Sequence, residues 1–302
     1  MADPLQAASC PPATHQSLKG KGNNTMAKQI PVPVMAVPAD EYDLGGVNPF
    51  DLSGRHALVT GATRPLARAV ATALAEAGAN VSVTTIRDDA SEASEANSIL
   101  DACIALGRSG VALQVDLTDA AAVAAAVASI ESEVAPIDIL VHAVQEANIK
   151  PVLDSSVAEW SNELARNATT LFVATQAVGR RMVERGYGRI TTFTSVLHDR
   201  GIPNAALFGA SQGAVLGYTK SLGLEWGRNG VTVNTITLGF FDAVPGIQSD
   251  EEIHAILERY IPLRRLGNPE DVQGAVVYLS SELAAFVDSE TFVIDGAIQV
   301  HA

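Results

Sequence analysis

From residue 48 onward, short apolar segments alternate with segments of helical periodicity. In chain order, the apolar segments are RHALVT, NVSVTT, VALQVD, IDILVHAV, RITTFTS, VTVNTITL and TFVIDG. Continuous apolar runs of this length predict strands buried on both faces, and the helices between them allow the strands to run parallel. We therefore predict one α/β domain over residues 48–302, a doubly wound, seven-stranded parallel sheet with helices on both faces.

Residues 1–47 have a different composition, rich in Pro, Gly, Ala and polar side chains and without helical or strand periodicity. Such a segment buries too little apolar surface to offset its ordering entropy. We therefore predict a flexible N-terminal tail. Two alternatives stay open for it: Met26 as a second start site, and a loose targeting or docking segment.

Composition excludes several classes of partner. The chain has 20 basic and 34 acidic residues, a net charge of −14, which argues against binding to nucleic acid or to an anionic membrane surface. No run reaches the roughly 20 apolar residues that span a bilayer, and no signal peptide is visible, so we expect a cytoplasmic protein. Cys10 and Cys103 lie far apart without metal-binding spacing, which predicts unpaired thiols and no metal site.

The first strand ends in TGATRPLA, residues 60–67, where ligands of parallel sheets bind. A dinucleotide pyrophosphate needs glycines at such a turn and free amides at the start of the helix. Gly61 is the only glycine in this stretch, and Pro65 has no amide hydrogen. Taken alone, this turn is a weak nucleotide signal, and a helix start stiffened by proline explains it as well.

Several ordered segments together carry a resemblance to a known family. They are DLSGRHALVTGATR, VDLTD, IDILV, GRITTFTSV, GVTVNTITLGFFD, PLRRLGNPEDV and TFVIDG, and they extend from about Phe50 to Val300. This pattern resembles the short-chain dehydrogenase/reductase family, especially its ketoacyl carrier-protein reductase-like branch. The resemblance implies a Rossmann-like fold and a nicotinamide cofactor that exchanges hydride with a carbonyl or an alcohol.

The resemblance also locates the catalytic positions. The family uses a tyrosine, a lysine four residues later, a serine at the end of strand five and an asparagine in the preceding long helix. Ser195 and Asn167 are present here, but Phe208 stands at the tyrosine and Gln212 at the lysine. Phenylalanine has no ionisable oxygen and glutamine no charge, so the usual proton donor is absent. We interpret Ser195 and Asn167 as vestigial catalytic residues.

The cofactor motifs depart from the family as well. Pro65 and Ala67 replace the second and third glycines of the phosphate turn. The family's NNAG after strand four reads His142-Ala143-Val144-Gln145, and its proline-glycine after strand six reads Leu238-Gly239. Because the changes affect the pyrophosphate, nicotinamide and catalytic positions together, they indicate a chemistry that is no longer required.

Some cofactor affinity remains part of the prediction. Thr85 stands where NAD users of the family have an acidic residue, and Arg64 and Arg87 lie nearby, which favours NADP over NAD. The alternative is that both arginines are ordinary solvated charges. The cofactor contacts implied by the resemblance are Gly61, Thr63, Arg64, Thr85, Arg87, Asp116 and Leu117.

The sequence therefore favours a catalytically silent subunit that forms homo- or hetero-oligomers with active relatives through its two long helices. An alternative is an NADP(H)-dependent oxidoreductase of carbonyl or alcohol substrates with altered acid–base residues, in which His198 or His142 replaces the missing acid. A third hypothesis is an NADP(H)-sensing protein without turnover. The sequence indicates no particular substrate.

Overall fold

Seven parallel strands form one sheet in the computed structural model, which describes residues 48–241 and 251–300. The strands are β1 (His56–Thr60), β2 (Asn80–Thr84), β3 (Ala112–Leu113), β4 (Ile139–His142), β5 (Gly188–Ser195), β6 (Val231–Leu238) and β7 (Thr291–Ile294). Their order in the sheet is β3-β2-β1-β4-β5-β6-β7. This order confirms the predicted doubly wound fold. The predicted tail, residues 1–47, and Cys10 within it lie outside the described residues.

Helices cover both faces of the sheet. They are α1 (Pro65–Glu76), α2 (Ala90–Ala105), α3 (Ala120–Glu133), α4 (Val157–Leu164), α5 (Thr170–Arg185), α6 (Ala206–Trp226), α7 (Glu251–Tyr260) and α8 (Gln273–Ser280). Side chains of α1, α2 and α8 form one apolar cluster with the sheet, and side chains of α3, α5 and α6 form a second. The sheet thus lies between two apolar layers, as the continuous apolar strands require.

The central strands follow the predicted segments closely. Every residue of β5 and β6 is buried, and β6 has the same bounds as the predicted segment VTVNTITL. A strand that is buried on both faces tolerates apolar or small polar side chains at each position, which makes its sequence pattern continuous.

The edge strand is much shorter than predicted. We expected a strand over residues 111–116, but β3 contains only two residues, both half-buried. Beyond Leu113, the amide of Val115 donates to the Oγ1 atom of Thr85 at 2.8 Å instead of to a main-chain carbonyl. The Thr85 hydroxyl therefore replaces a main-chain acceptor at this edge of the sheet.

The long helix that the resemblance implies before strand five is interrupted. A π-helical turn at Ala165–Thr169 separates α4 from α5. The Oγ1 atom of Thr170 donates to the carbonyl of Arg166 at 2.8 Å within this turn, and Asn167 points into the protein interior. Turns of this kind are often found at functional sites.

The direction of strand order reverses between β1 and β4, since the chain proceeds from β1 outward to β3 and then returns to β4. At such a switch point the loops after the two strands diverge and leave a crevice at the carboxyl edge of the sheet. The loops after β1 and β4 therefore border the candidate site.

Candidate active site

The turn between β1 and α1 packs tightly against its neighbours. Gly61 has a φ of +81°, and a Cβ atom there would lie 2.6 Å from the Cγ2 atom of Val144. The amides of Gly61 and Ala62 donate to the carbonyl of Thr84 at 3.0 and 2.8 Å. Position 61 therefore requires glycine, both for its backbone conformation and for the approach of the loop after β4.

The N-terminus of α1 opens into the crevice. Among residues 48–241 and 251–300, no side chain caps the first turn of α1, and that turn contains no acidic residue. Pro65 occupies the first helical position, where a missing amide hydrogen costs least. The amides of the next two positions and the helix dipole still favour an anion at this end. Pro65 thus removes one amide donor, and the other amides of the first turn of α1 can still bind an anion.

A buried carboxylate links three arginines beside this helix end. The Oε1 atom of Glu146 lies 3.2 Å from the Nη2 atom of Arg64 and 2.5 Å from the Nη2 atom of Arg87. The Nε atom of Arg166 lies 3.5 Å from the Oε2 atom of the same glutamate. We call Glu146 and these three arginines the Glu146 cluster. Burial acts to lower the pKa of Arg87, but hydrogen bonds and charge from Glu146, then Glu92, outweigh it and raise that pKa.

Three other predicted cofactor contacts, Thr85, Asp116 and Leu117, are partly committed to the fold. The Thr85 hydroxyl donates to the carbonyl of Val115 at 3.0 Å and accepts from its amide at 2.8 Å. Asp116 accepts hydrogen bonds from the amide and hydroxyl of Thr118, and Leu117 is fully buried. Among the predicted cofactor contacts, Arg64 and Arg87 are thus the side chains that meet at one anion, the Glu146 carboxylate.

Ser195 is the last residue of β5, and its side chain lies at the carboxyl edge of the sheet. Its Oγ atom accepts from the amide of Leu197 at 3.3 Å, a bond that leaves the hydroxyl hydrogen available. The serine is 8% exposed, so it borders the crevice without lying in open solvent. This position is suited to orienting the oxygen of a bound substrate.

Phe208 retains the packing of a ring at the tyrosine position. It lies on the buried face of α6 and belongs to an apolar cluster with Val196, Leu197, Ala205, Ile261, Leu266 and Ile298. An apolar ring suits these surroundings, because a buried hydroxyl without a partner would be costly there. The ring of Phe208 is therefore part of an apolar cluster at the start of α6.

Gln212 forms a pair that the sequence does not reveal. Its Oε1 atom accepts from the Nε2 atom of Gln145 at 3.4 Å, and its own Nε2 atom donates to the Ser211 hydroxyl at 3.4 Å. Gln145 and Gln212 are two of the departures from the family pattern, and the fold brings them together. A neutral amide pair therefore occupies the place of the family's lysine.

Asn167 connects the helix break to the loop after β4. Its Oδ1 atom accepts from the amide of Glu146 at 3.0 Å, and its Nδ2 atom donates to the carbonyl of Glu146 at 2.8 Å. The same Nδ2 atom lies 3.3 Å from the Oε1 atom of Glu163. Burial raises the pKa of Glu163 to about 7. Asn167 thus fixes the main chain from which the Glu146 carboxylate projects.

The two candidate histidines have different environments. His142 is fully buried between the hydroxyls of Thr60, at 2.7 Å, and Thr170, at 3.3 Å, and burial lowers its pKa to about 3. It therefore stays neutral near pH 7 and connects β1 with α5. The Nδ1 atom of His198 donates to the carbonyl of Ser195 at 2.6 Å. His198 lines a cavity of about 480 Å³ against the exposed face of α6, opposite the face that carries Phe208.

Sequence reasoning missed Glu146 and Glu163. A carboxylate in the loop after β4, at the switch point of the sheet, was a usable signal for Glu146. Glu163 precedes Asn167 by one helical turn, a spacing that places both side chains on one face. Their burial depends on contacts with distant segments, which periodicity does not indicate.

Comparison with known proteins assigns the fold and its crevice to a family. A family model described as enoyl-(acyl carrier protein) reductase matches residues 61–298. The chain belongs to the short-chain dehydrogenase/reductase family. This confirms the resemblance seen in the strand-end motifs, and it covers both sides of the crevice.

Relatives in this family are similar over nearly their whole length. Gluconate 5-dehydrogenase from Gluconobacter oxydans is 34% identical over 253 residues, which cover 83% of this chain and 97% of the relative. The 3-oxoacyl-[acyl-carrier-protein] reductase of Escherichia coli is 31% identical over 250 residues, 82% of this chain and 99% of the reductase. A gluconate 5-dehydrogenase from Burkholderia cenocepacia, solved with NADP and tartrate, superposes with a TM-score of 0.77 at 29% identity, covering 84% and 98% of the two chains.

These comparisons correct the function predicted from the sequence. The prediction of a catalytically silent subunit was wrong, because the relatives are named as dehydrogenases and reductases and favour the oxidoreductase alternative. The prediction gave Phe208 and Gln212 too much weight. Loss of a positioned acid typically lowers a rate by about a hundred- to ten-thousand-fold, which is a reduction and not an abolition of chemistry.

No helix within residues 48–241 and 251–300 is both long enough and apolar enough to cross a membrane.

Proposed function

We propose that this member of the short-chain dehydrogenase/reductase family is an NADP(H)-dependent oxidoreductase of carbonyl or alcohol substrates with altered acid–base residues. The observation that carries the proposal is the convergence of Arg64 and Arg87 on one anion beside the N-terminus of α1. Guanidinium groups bind phosphate through paired hydrogen bonds. NADP(H) supplies a third phosphate group that NAD(H) lacks, and β2 is followed by Thr85 instead of an acidic residue.

The residues of the crevice fit a dinucleotide in three respects. Gly61 gives the turn into α1 its left-handed conformation, the first turn of α1 offers amide donors, and the two arginines supply positive charge. The resemblance implies Thr63, Asp116 and Leu117 as further contacts, although the Leu117 side chain is fully buried. When bound, the nicotinamide would supply or accept the hydride. Gln212 can hydrogen-bond a ribose hydroxyl through its amide, although it cannot supply charge.

Ser195 is the proposed group that orients the substrate oxygen. Its hydroxyl hydrogen is left available by the bond from the Leu197 amide. A hydrogen bond from Ser195 to a carbonyl oxygen stabilises the negative charge that develops there during hydride transfer. Asn167 acts at a distance by holding the loop after β4.

His198 is the proposed proton carrier; because it lines the cavity on the face of α6 opposite Phe208, it would act beside Ser195 and not from the place of the family's tyrosine. It is bonded to the main chain of Ser195 through Nδ1, which leaves Nε2 as the nitrogen for exchange. His142 does not suit this role, since its buried ring would have to gain a charge without solvent. We therefore assign a structural role to His142 and a chemical role to His198.

Turnover by the purified full-length chain tests this proposal. The names of the relatives suggest two substrates, gluconate with NADP⁺ and a 3-oxoacyl thioester with NADPH. We expect turnover of at least one class, and loss of that turnover in the double variant Ser195→Ala/His198→Ala. Turnover that is unchanged in the double variant would refute the assigned roles. NADPH binding without turnover of any carbonyl would instead favour a sensing protein.

A separate surface supports self-association as a second proposal. Phe172 on α5 is 45% exposed and packs edge-on against Tyr218 of α6, with ring centroids 6.2 Å apart. These rings and Trp226 border a depression of about 410 Å³. We propose that this face of the two helices binds a second copy or a related subunit. Phe172→Asp should reduce the mass measured by light scattering, whereas the control Leu153→Asp, on an exposed turn, should not.

A further inference from the structure

The carboxylate of Glu146 lies across the crevice at the switch point. Glu146 follows β4, Arg64 precedes α1, and Arg87 follows β2. Because β1 lies between β2 and β4 in the sheet, an ion pair from Glu146 to Arg87 has to pass over the end of β1. That is the place where parallel sheets of this topology bind their ligands.

The glutamate is anchored at its main chain and held at its carboxylate. Asn167 binds both the amide and the carbonyl of Glu146. The side chain is 6% exposed, and three guanidinium groups surround it, as described for the Glu146 cluster. A buried carboxylate needs such compensation, since its lost hydration is otherwise costly.

Arg87 is prepared for an anion independently of Glu146. The Oε1 atom of Glu92 accepts from the Nη1 atom of Arg87 at 2.6 Å, and its Oε2 atom accepts from the amides of Ile86 and Arg87. Glu92 therefore fixes the loop after β2 and one edge of the guanidinium group. The Nη2 atom, which is bound to Glu146, is the part of Arg87 that another anion could take over.

We propose that Glu146 is an internal competitor for the phosphate groups of the nucleotide. Its carboxylate binds the donors of Arg64 and Arg87 that a phosphate needs, so nucleotide binding is an exchange of one anion for another. Carboxylate and phosphate both accept paired hydrogen bonds from arginine, which makes such an exchange geometrically direct. This inference rests on the proposed NADP(H) function. Glu146 would then set the affinity and reduce the preference for a 2′-phosphate.

Calorimetric titration of the full chain with adenosine 2′,5′-bisphosphate tests the inference without turnover. We expect Glu146→Gln to bind this probe about tenfold more tightly than the natural chain or better, because one close charge pair no longer has to be broken. The gain should be smaller for NADH, which lacks the 2′-phosphate. Glu131→Gln is the matched control, since the Glu131 side chain is similarly buried, 10% exposed against 6% for Glu146, and pairs with Arg181 and Arg185 at the opposite end of the strands.

The outcomes separate the two proposals. Equal or weaker binding of the probe by Glu146→Gln, with clear binding by the natural chain, would overturn the role of Glu146 alone. Weaker binding of NADH would mean that the carboxylate serves the ribose hydroxyls. If neither protein binds any nucleotide at millimolar concentration, the proposed function fails as well. Should Glu146→Gln not fold, Glu146→Asp withdraws the carboxylate by one methylene, and an affinity that is not raised would overturn the proposal.

Discussion

Asn167 and Glu146 are joined by two hydrogen bonds, from the Glu146 amide to the Asn167 Oδ1 atom at 3.0 Å and from the Asn167 Nδ2 atom to the Glu146 carbonyl at 2.8 Å. The Asn167 side chain thus makes the two main-chain hydrogen bonds that a neighbouring strand would otherwise make to Glu146, which lies beyond the end of β4. It can do so because the π-helical turn directs it inward. The helix break and the placement of the Glu146 carboxylate are consequently one structural feature.

Replacing Asn167 by alanine should destabilise the domain. The change leaves a buried amide and a buried carbonyl of Glu146 without these partners, and each such loss typically costs about 1–3 kcal/mol. We expect the free energy of unfolding in urea to fall by about 3 kcal/mol. Asn162→Ala, on the exposed side of α4, is the control and should change it little. A loss no larger than that of the control would show that the pairing has little effect on stability.

Restoring the family's acid–base pair should accelerate turnover. In Phe208→Tyr/Gln212→Lys, a phenol returns to the reacting centre, and the lysine meets Gln145, whose amide oxygen can accept a hydrogen bond. We expect kcat for carbonyl reduction to rise by about a hundredfold or more, the usual contribution of a positioned acid. Phe286→Tyr, at a fully exposed ring before β7, is the control for an added hydroxyl. If kcat of the double variant equals that of the natural chain, protonation does not limit turnover.

Glu163 should make the domain less stable as the pH rises. Its pKa is raised from 4.5 to about 7 in the folded protein, so the folded state holds the proton more tightly than the unfolded chain. The associated stability is complete below pH 4.5 and is lost as the pH rises through 7, by about 3 kcal/mol in all. Glu163→Gln should remove this slope in urea titrations between pH 5 and about 8. Glu184→Gln, exposed on α5, should retain it; a slope retained in Glu163→Gln would assign it to another group.

His142 should have the opposite effect on the acid side. Burial lowers its pKa from 6.5 to about 3, so the unfolded chain takes up a proton that the folded protein excludes. The stability from the neutral ring is complete above pH 6.5 and is lost as the pH falls toward 3. His142→Asn keeps a hydrogen-bonding side chain beside Thr60, and its unfolding free energy should fall less between pH 6.5 and 4.5. Parallel curves for the two proteins would contradict this.

The fold could be predicted from the sequence because its central strands are buried on both faces. VTVNTITL has one uninterrupted pattern, and β6 has the same bounds. Prediction was poorer at β3, where the hydroxyl of Thr85 replaces main-chain pairing, and at the break before α5, where Asn167 bonds to a residue 21 positions away. Periodicity reports local burial and does not report partners that the fold brings in from elsewhere.

The sequence predicted which positions form the candidate site, but it did not predict which of their side chains are in contact. The motifs predicted Ser195 at the end of strand five, where the structure has it, and Asn167 within a long helix, where the structure has a π-helical turn. They did not show that Gln145 pairs with Gln212, or that Arg87 meets a carboxylate 59 positions away. Without these contacts, each departure from the family pattern seemed an independent loss, and this led to the mistaken silent subunit.

The most direct test of the proposed oxidoreductase function is transfer of deuterium from NADPH that is deuterated at both C4 positions. The full-length protein is incubated with this cofactor and a 3-oxoacyl thioester, and the alcohol product is analysed by mass spectrometry. We expect a product that carries one deuterium on the former carbonyl carbon, formed more slowly by Ser195→Ala. Binding of NADPH without any deuterated product, across 3-oxoacyl and sugar-acid carbonyl substrates, would contradict the proposed function.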